Sequence, residues 1–249
     1  MLIGIVGPSG SGKTSSCRNL PPDKTLFINL EEKDLPFPDP FGDRNFYLNG
    51  PFPGVKQKIE NFLKDDKYEY IVFDSFAEYQ DMMEMHFKDV HSGKAKGGEG
   101  YKVYGDVWKF TYQFFKKMKT ASKNKTIIFL AIDYDSEEEG KTGQAVTYKR
   151  SIKVAGKKNL GLIDRHFTTL FFTDVVPGKT KDDLPTYRLT PHSDGITTAR
   201  SPIGLFKKRF TEDNDIWKLI QQMEEYYKQH PEARKQDEES LKGEEKKDA

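Results

Sequence analysis

The stretch Met1-Leu-Ile-Gly-Ile-Val-Gly-Pro-Ser-Gly-Ser-Gly-Lys-Thr14 decides how the rest of the chain is read. An apolar run breaks into glycines and ends on Lys-Thr, the pattern of a strand, a phosphate loop and a helix. Gly7, Gly12, Lys13 and Thr14 satisfy G-x-x-x-x-G-K-[ST], with Pro8, Ser9, Gly10 and Ser11 filling the loop. Glycines let backbone N–H groups turn inward around a polyphosphate, Lys13 reaches the outer phosphates, and the Thr14 hydroxyl suits Mg²⁺. A helix expected over about Lys13 to Leu20 aims its positive end at the same anion. The ligands this spacing implies are a polyphosphate and Mg²⁺.

Further along, Lys24 to Leu30 reads as a second strand ending in Glu31 and Glu32, two carboxylates placed for chemistry beside the loop. Leu35 to Pro53 carries Pro36, Pro38, Pro40, Pro51 and Pro53, which predicts an extended loop without regular structure. Val55 to Leu63 has helical spacing. Tyr68 to Ser75 is an apolar strand running into Asp74, where an acid at a strand's carboxyl end can hold magnesium opposite Thr14. Helices are expected from Phe76 to Val90 and from Tyr101 to Ala121, separated by a glycine-rich loop. Thr126 to Ile132 is a fourth strand ending at Asp133. A polar loop, Asp135 to Gln144, and a basic stretch to about Lys158 follow it, then a fifth strand, Phe167 to Val175, and an edge strand, Thr186 to Leu189. Apolar strands alternating with helices predict an α/β fold, a mostly parallel central sheet with helices on both faces. Ligands in such sheets lie at the carboxyl ends of the strands.

The chain has 249 residues, enough for one α/β domain. Hydrophobic content of 35% against 32% charged residues points to a modest core, which 18 Phe and 12 Tyr enlarge. One cysteine, Cys17, excludes an internal disulfide and a cysteine-rich zinc site; His86, His91, His166, His192 and His230 have no metal-ligand spacing. No apolar run approaches the roughly 20 residues that span a bilayer. A cytoplasmic protein without a membrane partner is expected. The domain reading is 1–206 for the phosphate-loop domain, 207–230 for a C-terminal helix packed on it, and 231–249 for a charged, disordered tail.

The order of phosphate loop, Glu-ended second strand, Asp-Ser-ended strand and polar-ended fourth strand resembles the RecA-like branch of P-loop ATPases. More narrowly, the loop close to Met1 and the run Ala199-Arg-Ser-Pro-Ile-Gly-Leu205 are similar to phage recombination ATPases of the single-strand annealing type. That resemblance covers about residues 1–206. It implies ATP with Mg²⁺ as the cofactors, Glu31 or Glu32 as the base that activates the attacking water, Asp74 as a magnesium ligand, and Arg200 as a cation near the γ-phosphate, supplied across a subunit boundary in a homo-oligomer. Asp133 departs from the Gln or His usual at that strand end.

Two basic segments carry the expectation of nucleic acid. Between Lys88 and Lys125 the formal excess is about +7, and between Lys141 and Arg165 about +6. Lys94, Lys96, Lys102, Lys149, Arg150, Lys157 and Lys158 are the candidate contacts to single-stranded DNA, with Tyr101, Tyr104 or Tyr148 available for base stacking. A single-strand DNA-binding protein is a further partner consistent with that role. Two other functions fit the same loop: a nucleotide or small-molecule kinase, disfavoured by the scarcity of arginines for a closing lid, and a nucleotide-dependent assembly factor with little hydrolysis.

Overall fold

A computed structural model describes residues 1–92, 99–138, 147–155, 162–180, 182–211 and 213–233. The first apolar run forms β1 (Leu2–Val6), and its five residues are all buried because parallel neighbours cover both edges and helices cover both faces. Beyond β1 the chain makes β2 (Thr25–Asn29), β3 (Asn45–Tyr47), α1 (Phe52–Lys64), β4 (Tyr70–Asp74), α2 (Phe76–His91), α3 (Glu99–Ala121) and β5 (Thr126–Ala131). A hairpin of β6 (Asp133–Glu138) and β7 (Thr147–Ile152) follows, then β8 (Thr169–Val176), β9 (Thr186–Thr190) and α4 (Ile216–Gln229). Among the described residues the main sheet has seven strands in the order β3-β2-β4-β5-β1-β8-β9, parallel throughout except for β9. This is the mostly parallel α/β core that the alternation of strands and helices predicts, with β5 lying between the phosphate-loop strand and the strand that ends in Asp74.

Alternation along the central strands divides the core in two. Leu2, Val6, Ile71, Phe73, Ile127 and Phe129 face α1, α2 and α3, whereas Ile3, Ile5, Val72, Ile128 and Leu130 face Cys17, Leu20 and α4. The aromatic content sits mainly in the first layer: Phe73 and Phe129 stack at 5.4 Å between centroids, and Phe76, Phe114 and Phe115 surround them. On the second face α4 buries Ile216, Leu219, Ile220 and Met223. Its first turn is capped by Asp215, whose carboxylate accepts from the N–H groups of Trp217 and Lys218.

Three sequence expectations are corrected. The helix after the loop is a single 3₁₀ turn, Thr14–Cys17, and not a helix to Leu20; the chain bends into Pro21-Pro22, which cannot continue it. The proline-rich segment is not wholly irregular. Asn45–Tyr47 adds β3 in parallel to the edge of β2, because the prolines lie outside that three-residue window. The described parts of the polar loop and basic stretch contribute to a β6–β7 hairpin, with Asp133 opposite Ile152 and Glu138 opposite Thr147, while 139–146 and 156–158 lie outside the described residues. Its strands are polar because the hairpin stands apart from the main sheet and has little face to bury. The His91–Gly100 loop falls mostly outside the described residues, as does most of the 231–249 tail.

Candidate nucleotide site

The phosphate loop leaves β1 at its carboxyl end, where the Gly7 N–H donates to the Ala131 carbonyl of β5 at 3.1 Å. Gly7 has to be glycine for space: a Cβ there would lie 1.7 Å from Thr173 Oγ1. Gly12 has to be glycine for conformation, with φ of 86°. Ser11 fixes the loop from within. Its hydroxyl donates to the Pro8 carbonyl at 2.7 Å and accepts from Thr173 Oγ1 at 2.8 Å.

Lys13 is only 9% exposed, and its ammonium donates to the carbonyls of Gly7 (2.7 Å) and Pro8 (2.8 Å), so the charge is held inside the curl of the loop. Burial lowers its pKa, against the opposing pull of Asp74, Glu31 and Asp133. The Thr14 hydroxyl donates to Asp74 Oδ2 at 2.8 Å. Burial pushes the Asp74 carboxyl up to about 6, the Thr14 hydrogen bond working the other way. A buried carboxylate carrying this strain, paired with a hydroxyl and facing a phosphate loop, presents hard oxygen donors that suit Mg²⁺ and would be relieved by it. Thr14 and Asp74 therefore fit the cation that the loop motif implies.

The register of β2 on β4 places Asn29 beside Asp74, and so carries the two glutamates to the same end of the sheet. They differ there. Glu31 lines the cleft over the loop, and its carboxylate meets Lys33 at 3.0 Å. Burial opposes its charge, but the hydrogen bond from Lys33, with the Lys33 and Lys13 charges, holds it below the usual carboxylate range. Glu32 is exposed, adopts a left-handed φ of 54°, and does not line the cleft. The cleft has a volume of about 890 Å³. Lys13, Thr14, Glu31 and Asp74 form one side, and Thr186, Tyr187 and Asn214 close the other. Those last three carry no sequence motif; only their fold position, an edge strand and the approach to α4, brings them here.

The remaining candidates scatter. Asp133 and Arg150 form an ion pair across the β6–β7 hairpin, with Arg150 Nε 3.0 Å from Asp133 Oδ2, so this arginine is already engaged within the chain. Arg200 bridges Leu170 through its backbone, level with Gly4 and upstream of the loop, and does not line the cleft. Lys102 and Lys149 are exposed, on α3 and β7 respectively. Lys125 is not a surface lysine: it is 7% exposed and donates to the Asp65 carbonyl at 2.7 Å. Lys94, Lys96, Lys157 and Lys158 lie outside the described residues, and of Tyr148 only the backbone is described.

A mostly parallel α/β sheet with a complete phosphate loop between its central strands and an acid across from the loop threonine defines a P-loop nucleotide-binding protein. The family model described as AAA domain matches residues 1–200, and the chain belongs to that family. Among solved structures it is similar to one titled as the crystal structure of the RadB recombinase, at 12% identity and a TM-score of 0.35, covering 79% of this chain and 89% of that one. No curated protein matches the sequence. No helix among the described residues is long and apolar enough to cross a membrane.

Proposed function

We propose that this protein binds and hydrolyses ATP with Mg²⁺ and couples the cycle to single-stranded DNA, in recombination or replication. The observation that carries the nucleotide part is the hydrogen bond from Thr14 to the buried Asp74, made directly beside Lys13 and facing Glu31. Lys13 releases its two carbonyls and turns to the outer phosphates as the ligand enters. Thr14 and Asp74 would hold Mg²⁺, which when bound offsets phosphate charge. Glu31 is the base that orients a water and takes its proton, because it is ionised, borders the cleft and stands on the Asp74 side of the loop. Glu32, turned away, has no such part.

Arg200 is proposed to act on a neighbouring copy's site in a homo-oligomer, a role supported by its place away from its own cleft. DNA contact is assigned to Lys94, Lys96, Lys102, Lys149, Lys157 and Lys158, while Arg150 is left to its ion pair with Asp133; in support, Lys102 lies on α3 beside Tyr101, a ring 89% exposed. The phage recombination role rests on the sequence resemblance. The deciding experiment is ATP turnover with no DNA, with single-stranded DNA and with duplex DNA. Stimulation by single strands is expected. Turnover that needs a nucleoside monophosphate acceptor would make the protein a kinase, and binding without turnover in any condition would make it an assembly factor.

A further inference from the structure

The sheet order gives the cleft two chemically different ends. β4 and β2, which deliver Asp74 and Glu31, lie on one side of β1, while β8 and β9 lie on the other. A nucleoside triphosphate stretched across the loop with its outer phosphate toward Asp74 and Glu31 must carry its nucleoside toward β9. At that end stands Tyr187, on an edge strand opposite Val175. Its ring borders Gly12, whose Cβ, if present, would lie 3.0 Å from Tyr187 Cδ1. The residue is 37% exposed, lines the cleft, and stacks on no other ring among the described residues.

Asn214 supplies a second and independent observation. It is 8% exposed and lines the same end of the cleft. Its Nδ2 donates to the Gly12 carbonyl at 2.7 Å, while its buried Oδ1 has no hydrogen-bond partner among the described residues. Buried amide oxygens rarely stay unpaired, and a nucleoside carries hydroxyl and amino donors of the kind this one lacks.

We infer that Tyr187 is the stacking platform for the nucleobase, with Asn214 lining the same end of the cleft. This rests on the nucleotide-binding reading above and assigns the end of the ligand that the phosphate-loop motif does not address. Base-on-tyrosine stacking gives Tyr187→Ala an expected loss of ATP affinity of roughly 5- to 150-fold. Tyr187→Phe keeps the ring and is expected to bind as the parent does.

The test is calorimetric titration of the full chain with Mg-ATP and with Mg-tripolyphosphate, which has the phosphates and no base. Thermal melts of each variant establish that it is folded. In Tyr187→Ala, weakened ATP binding with unchanged tripolyphosphate binding is expected. Unchanged ATP affinity in that variant, or equal losses for both ligands, would overturn the assignment. A parent protein that binds tripolyphosphate as tightly as ATP would overturn it too, while leaving the phosphate site standing. Binding of neither ligand by the parent would instead remove the nucleotide reading on which the assignment rests.

Discussion

Asp74→Asn is expected to stabilise the metal-free, nucleotide-free protein while removing the magnesium-dependent turnover proposed for it. Burial raises the carboxyl from 3.8 to about 6. At 1.36 kcal/mol per pKa unit, that displacement corresponds to about 3 kcal/mol. The sign follows from which form the fold prefers. A raised acid favours the protonated state, so its stabilising contribution is full below its unfolded value of 3.8 and is lost as pH rises through about 6. At neutral pH the ionised Asp74 is therefore a destabilising group. Asparagine keeps an oxygen to accept the Thr14 hydrogen bond and carries no charge to desolvate. For a chain of this length, about 2–4 °C of melting temperature per kcal/mol gives a gain of roughly 6–12 °C near pH 7. The gain should shrink toward zero near pH 4, where the parent carboxyl is protonated. Calorimetric melts of both proteins in EDTA across that range check it. An equal or lower melting temperature for Asp74→Asn at pH 7, or a difference that ignores pH, would refute the argument that burial raises this acid.

Glu31→Gln should retain ATP binding and lose turnover by a factor on the order of 10² or more, as for a lost general base, whereas Glu32→Gln should behave as the parent in the same phosphate-release assay. Gly7→Ala drives a methyl into Thr173 and breaks the Thr173–Ser11 hydrogen bond; urea unfolding should show a loss of at least about 1–3 kcal/mol. Arg200→Ala should reduce turnover far more than ATP binding. Mixing it with Lys13→Ala should restore part of the rate, and a stably monomeric protein with no restoration would end the case for action across subunits. Neutralising Lys94, Lys96, Lys157 and Lys158 together should flatten the dependence of single-stranded DNA affinity on salt; an unchanged slope would assign them to solubility.

The half of the site proposed to hold phosphate and metal is readable in the sequence because its chemistry is local. Gly7 to Thr14 is one contiguous motif, and Asp74 ends a strand whose apolar run announces it. Which glutamate enters the cleft was not readable, since Glu31 and Glu32 are separated by a backbone turn, with φ of 54° at Glu32, that neither residue type dictates. β3 leaves no sequence signal because three residues between prolines carry no usable period, and their pairing is set by the neighbouring edge of β2. The β6–β7 hairpin was hidden for the opposite reason. A two-stranded ribbon outside the main sheet needs no apolar face, so strand formation left no hydrophobic alternation to find. Tyr187 and Asn214 lie more than 170 residues from the loop in sequence, and only the order of the strands brings them to it.

The cap of α4 also bears on where this protein could be cut. Asn19 donates to Asp215 at 2.7 Å, Arg18 to the Asn214 carbonyl at 2.6 Å, and Asn214 to Gly12 at 2.7 Å, so three bonds moor the turn after the phosphate loop to a segment some 200 positions later. The recognisable family region ends at residue 200, before any of them. A fragment trimmed to that region would keep every motif residue of the loop and lose the brace that holds its last turn, as well as the apolar cover over Cys17 and Leu20. A fragment designed to keep that brace has to extend through α4, and the outline drawn by sequence kinship is shorter than the one drawn by these contacts.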